Sequence, residues 1–132
     1  MNHLSFLIFR VVLAGSMAFG HGMEKLVHFQ TKSATFPSVF GMGSKVSLIL
    51  AIFAEFFCAI AVMAGFATRL AAIPLLVTMA VAFFIIHGND PFSHRELSGL
   101  YLVGFALIFM NGAGNWSIDG LLNQDGFLRK SR

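Results

Sequence analysis

The chain carries a single cysteine, Cys58, and no C-x-x-C pair. An intramolecular disulfide and self-contained dithiol redox chemistry are therefore excluded. Set inside an apolar run, Cys58 reads as a small buried hydrophobe. Charge is scarce too: Asp, Glu, Lys and Arg make up 11% of the 132 residues, against roughly 25% in soluble proteins. With 57% hydrophobic residues and a mean hydropathy of +0.79, a water-soluble domain of this size is excluded. The composition is that of an integral membrane protein. The net charge of +3 comes mostly from Lys and Arg in loops and the tail. Cations beside membrane spans reflect topology and lipid head groups, so a lipid bilayer is the expected partner and no nucleic acid is.

What the chain has instead is long apolar runs, and crossing the hydrocarbon core takes about 20 helical residues. Spans are expected at about 4–22, 46–66, 70–86 and 96–112, with an interfacial loop over 24–44 and a polar C-terminal tail over 115–132. The expected fold is an all-α integral membrane protein, an antiparallel four-transmembrane-helix bundle forming one domain over 1–132. Ser16-Met17-Ala18 could mark signal-peptide cleavage, but Arg10 interrupts the apolar core such a peptide needs, so a retained helix is expected. Gly65-Phe66-Ala67-Thr68-Arg69 is a tight connection, and Asn89-Asp90-Pro91 is a turn signal. Arg69, Arg129, Lys130 and Arg132 fall on one side of such a bundle and Lys25, Lys32, Lys45 and Arg95 on the other. Arg10 tips that balance toward cytoplasmic N- and C-termini.

Ionisable groups at membrane depth are rare and default to functional candidates. Here they are Arg10, His21, Glu55, His87 and Glu96. At 100° per residue, Met17, His21, Glu24 and His28 all fall within about 40° of Arg10, so one stripe of the first helix holds its polarity. On the second helix Ala51, Glu55, Cys58, Ala59 and Val62 form a small-residue stripe, which points Glu55 into a close interface. Comparing depths in oppositely directed helices makes Arg10–Glu55 the expected ion pair. His21, His87 and Glu96, with His94 and Arg95 beside them, are expected to converge near the opposite membrane boundary. Histidine and carboxylate are metal- or haem-ligand types, yet no H-x-x-H or H-E-x-x-H spacing exists and no metal site is expected. A proton relay or a quinone head group suits such a cluster better. Interfacial histidines wetted by lipid head groups are the plainer alternative.

In order along the chain, "RVVLAGSMAFGHGMEKL", "AEFFCAIAVMAGFATRLAA", His87, "RELSGLYL" and "GAGNWSIDGLL" resemble the DoxX family of small four-helix bacterial membrane proteins, from about Ser5 to Leu122. That family is similar to the membrane subunit of thiosulfate:quinone oxidoreductase. The resemblance implies a bacterial cytoplasmic-membrane protein and a polar site at Arg10, His21, Glu55, Arg69, His87 and Glu96. It also implies a redox-associated role, as a quinone-interacting or proton-relaying subunit beside a partner protein that supplies electrons. A homo-oligomer is a further partner the reading admits. The alternative is a non-catalytic scaffold, assembly factor or small-solute conduit whose buried charges are structural.

Overall fold

The computed structural model describes residues 2–124. Among the described residues the chain is helical with no strand. We number the helices α1 (His3–Val27), α2 (Phe29–Lys32), α3 (Ser44–Ala64), α4 (Thr68–Ile86), α5 (Phe92–Asn111) and α6 (Ile118–Gln124). Three of them, α1, α3 and α4, with 25, 21 and 19 residues, are long and apolar enough to cross a membrane. They turn Leu4, Ile8, Val12, Ile49, Phe53, Phe57, Val77 and Phe84 outward. Such a surface suits lipid tails, which are as apolar as leucine. The 20-residue α5 carries His94, Arg95 and Glu96 near its start.

Two stretches differ from the sequence expectation. The segment 24–44 is helical as far as Lys32, because α1 runs on to Val27 and α2 comes directly after it. The region from 115 onward is not all polar tail. Its helix α6 packs back on the α3–α4 connection, where the Asp119 amide donates to the Gly65 carbonyl at 2.9 Å. The tail cations Arg129, Lys130 and Arg132 lie outside the described residues.

Helix α1 lies along α3 in reversed register. His3–Met17 meets Ala59–Ala64, Ala18–Gly22 meets Phe53–Cys58, and Met23–Val27 meets Ser44–Ile52. Helix α4 packs on α5 and on the Phe53–Cys58 stretch. The shared centre holds Ala14, Met17, Ala59, Val62, Leu75, Phe105 and Ile108. The small-residue stripe on α3 is buried as expected: Ala51, Glu55, Cys58, Ala59 and Val62 all face inward. Gly65 ends α3 in the left-handed region at φ 77°, and the Phe66 amide returns to the Ala61 carbonyl at 2.8 Å. Glycine is the residue that adopts this cap without strain.

Three helices share one irregularity. A π turn occupies Ala18–Gly22 in α1, Phe53–Cys58 in α3 and Ala82–Ile86 at the end of α4. Each such turn takes in an extra residue and rotates the rest of its helix relative to an ideal repeat. The first two lie directly against each other.

Candidate functional site

The π turns border a cavity of about 410 Å³ between α1, α3, α4 and α5, roofed in part by Phe36, Pro37, Val39 and Phe40 of the 33–43 loop. That loop is tied down where the Val39 amide donates to Ser47 Oγ at 3.0 Å. Most of the lining is apolar: Met17, Leu50, Ala51, Val77, Met79, Val81, Ala82, Ile86 and Leu97.

The polar lining divides into used and unused groups. Ser47 Oγ accepts from Val39, Thr78 Oγ1 donates to the Pro74 carbonyl at 2.7 Å, and Ser98 Oγ donates to the Arg95 carbonyl at 3.0 Å. Their hydroxyls therefore serve the backbone. The side chains of His21, Lys25, Glu55, His87, His94 and Tyr101 are not taken up by the backbone in this way.

At the inner wall Lys25 Nζ donates to Glu55 Oε1 at 2.7 Å, with side chains only 16% and 6% exposed. This replaces the expected Arg10–Glu55 pair. The reason is register. Gly22 lies against the Glu55 backbone, and Arg10 is twelve residues away from Gly22 along the same helix. That is about 18 Å at 1.5 Å per residue, beyond the reach of any side chain.

The same geometry explains why Lys25 escapes a sequence reading. The ideal-helix stripe continues from His21 to Glu24 and His28, but both of these are exposed. The π turn at Ala18–Gly22 shifts the inward face by one residue, so Lys25 takes the place assigned to Glu24. No sequence signal announced that shift.

Around the pair, the His21 ring stands edge-on to Tyr101 at 5.5 Å between centroids. Tyr101 also stacks on the buried Phe105 at 6.1 Å. At the mouth His87 Nδ1 meets Asp90 Oδ2 at 2.8 Å. That contact fixes the ring and leaves Nε2 as the nitrogen able to exchange a proton. Asp90, noted in the sequence only as part of a turn, is the orienting carboxylate. His94 joins the lining, whereas Glu96 is exposed and outside it. The neighbouring Arg95 guanidinium lies over the Phe83 ring at 4.7 Å from its centroid. Among the described residues, no three His, Cys, Asp or Glu side chains gather at metal-binding range.

Arg10 and Arg69 belong to the other end of the molecule. Arg10, 2% exposed, donates to the backbone carbonyls of Ala113, Trp116 (3.0 Å) and Met63 (3.5 Å). Arg69, exposed, donates from Nε to the Phe109 carbonyl at 3.1 Å and from NH2 to the Met110 carbonyl at 3.3 Å. Arg69, and Arg10 through Met63, serve carbonyls that the ends of α5 and α3 leave without partners, while Arg10 also holds the Ala113 and Trp116 carbonyls of the loop between α5 and α6. Asp119 does the converse, accepting from the Ala67 and Thr68 amides at 2.8 and 2.9 Å where α4 begins. Of the six residues singled out in the sequence, His21, Glu55 and His87 therefore share the cavity. Arg10 and Arg69 fasten the opposite end, and Glu96 joins neither.

No curated protein and no solved structure gave a significant match to the chain. A sequence-family comparison did: DoxX matches residues 5–88, more than half of the chain. The match takes in α1, α3 and α4 and with them His21, Lys25, Glu55 and His87, and it stops short of the α5 and α6 segments in which a resemblance was also expected. By this match and its apolar helices, the chain is a membrane protein of the DoxX family.

Proposed function

We propose that this DoxX protein is a quinone-interacting subunit of a membrane redox system, the electrons being supplied by a separate partner protein. The observation that carries the reading is the cavity itself. Its volume lies in the range of roughly 300–1,000 Å³ usual for small-molecule sites, and its lining is apolar around a few convergent polar groups. A quinone needs the same combination, because an apolar ring and tail must be housed while carbonyl oxygens meet donors. When bound, a quinone takes up two electrons from the donor protein and two protons to become a quinol.

The chain's own part is binding and proton handling. Lys25 Nζ uses one of its protons on Glu55 and keeps others for a carbonyl oxygen. The Tyr101 hydroxyl makes no hydrogen bond among the described residues and can donate as well. His87, oriented by Asp90 at the half-exposed mouth, is placed to pass protons between water and the cavity.

In this reading α5 is the fourth span of an antiparallel bundle in the bacterial cytoplasmic membrane, with both termini cytoplasmic. The cavity then opens toward the outer leaflet. A small-solute conduit fits less well, because Val62, Leu75, Phe105 and Ile108 fill the centre and Arg10 ties the far end shut. The test is calorimetric titration of a decyl-substituted benzoquinone into the protein in lipid nanodiscs. Saturable binding is expected, lost in Ala82→Phe, which fills the cavity, and weakened in His87→Ala. Equal heats for wild type and Ala82→Phe would reject the reading.

A further inference from the structure

Lys25 and Glu55 form a neutral unit in the cavity wall, and each keeps unused bonding capacity. Glu55 Oε1 accepts from Lys25 at 2.7 Å, while Oε2 has no hydrogen-bond partner among the described residues and is not sealed in the core. The ammonium spends one of its three protons. Beside the pair, His21 and Tyr101 face each other, and His87 at the mouth is matched by Asp90. No second carboxylate or ammonium lines the cavity.

A charged amphiphile entering here meets a site already balanced. A carboxylate head bonded to the free protons of Lys25 would bring a second anion beside Glu55, itself 4% exposed, with no second cation in the lining to balance it. An ammonium head bonded to Glu55 would leave the reverse imbalance beside Lys25. An uncharged head has no such conflict, since its acceptor oxygen meets Lys25 and, where it carries a hydroxyl as a quinol does, that hydroxyl meets Glu55. We infer that the Lys25–Glu55 pair is a charge filter that restricts this cavity to uncharged oxygen-bearing amphiphiles and turns away the anionic and cationic amphiphiles of the bilayer, with Lys25 and Glu55 as its specificity-determining residues. This rests on the reading of the cavity as a ligand site and specifies the ligand's charge.

The filter has a reciprocal consequence. Removing one member should not merely weaken binding; it should redirect it. Glu55→Gln leaves an unpaired ammonium that selects carboxylates, and Lys25→Met leaves an unpaired carboxylate that selects amines.

The test titrates a decyl-substituted benzoquinone, laurate and dodecylamine into nanodisc-held wild type, Glu55→Gln and Lys25→Met. Ala82→Phe serves as the blank for partitioning into lipid, and thermal melting certifies folding. Wild type is expected to bind the quinone about tenfold or more tightly than either charged amphiphile. Glu55→Gln is expected to gain about tenfold for laurate, and Lys25→Met about tenfold for dodecylamine. If one variant fails to fold, the other decides. Wild type that takes laurate or dodecylamine as well as the quinone, or folded variants that keep the wild-type order, would overturn the filter. Wild type that binds no quinone, with redirected variants, would instead refute the quinone reading and leave the filter standing.

Discussion

Gly22 and Glu55 touch backbone to backbone: a Cβ at Gly22 would lie 2.5 Å from the Glu55 carbonyl oxygen and 2.6 Å from the Phe56 amide nitrogen. The obstacle is main chain on both sides, so no side-chain rotation relieves it. This contact brings the π turns of α1 and α3 together and sets the level at which Lys25 meets Glu55.

Gly22→Ala is therefore expected to force the two helices apart. The cost should be about 1–3 kcal/mol, the usual range for overpacking a tight interface. Denaturant unfolding in detergent measures it, and quinone binding should weaken in parallel. Wild-type stability together with wild-type binding would contradict the close contact.

Double-mutant cycles separate the true ion pair from the expected one. Lys25→Ala and Glu55→Ala should couple by about 1–3 kcal/mol, as contacting charges do. Arg10→Ala and Glu55→Ala, lying at different levels of α1 and α3, should add to within about 0.5 kcal/mol. Strong coupling in the second cycle would restore the Arg10–Glu55 pairing that the register rules out.

The two arginines of the opposite end should differ in weight. Arg10→Ala strands the buried Ala113 carbonyl and the part-buried Trp116 carbonyl and is expected to cost on the order of 3 kcal/mol. Arg69→Ala leaves carbonyls that water can reach and should cost about 1 kcal/mol or less. Both effects are read from unfolding curves. An Arg69 variant as unstable as the Arg10 variant would contradict this ranking.

Asp119→Asn should loosen the start of α4 by about 1–2 kcal/mol, since one acceptor for the Ala67 and Thr68 amides becomes a donor. Amide hydrogen exchange gives the local readout. Faster exchange at Thr68 is expected, while Val62 in the core keeps its protection.

The cavity residues show how far pattern reading reaches. Apolar runs and the small-residue stripe around Glu55 are properties of local sequence; three of the runs became the long apolar helices α1, α3 and α4, and the stripe was buried. His21 and His87 were legible because an ionisable group near a span end has few places to go. Lys25 was not, since an ideal 3.6-residue repeat sets it about 60° from Arg10, just outside the stripe, and Glu24 within it. Asp119 sat in what read as a polar tail, and nothing local says that its carboxylate caps a helix fifty residues earlier.

Membrane residence, the helical class, the inward face of α3 and the family were thus determined by the sequence alone, because each depends on composition, periodicity or a local motif. Tertiary structure decided the partners. Which cation reaches Glu55 depends on the register between α1 and α3 and on a π turn that rotates Lys25 inward. That turn comes with the backbone approach at Gly22, a contact between residues far apart in the chain, and no pattern along α1 records it. Arg10 was for the same reason left to the carbonyls at the other end of the molecule.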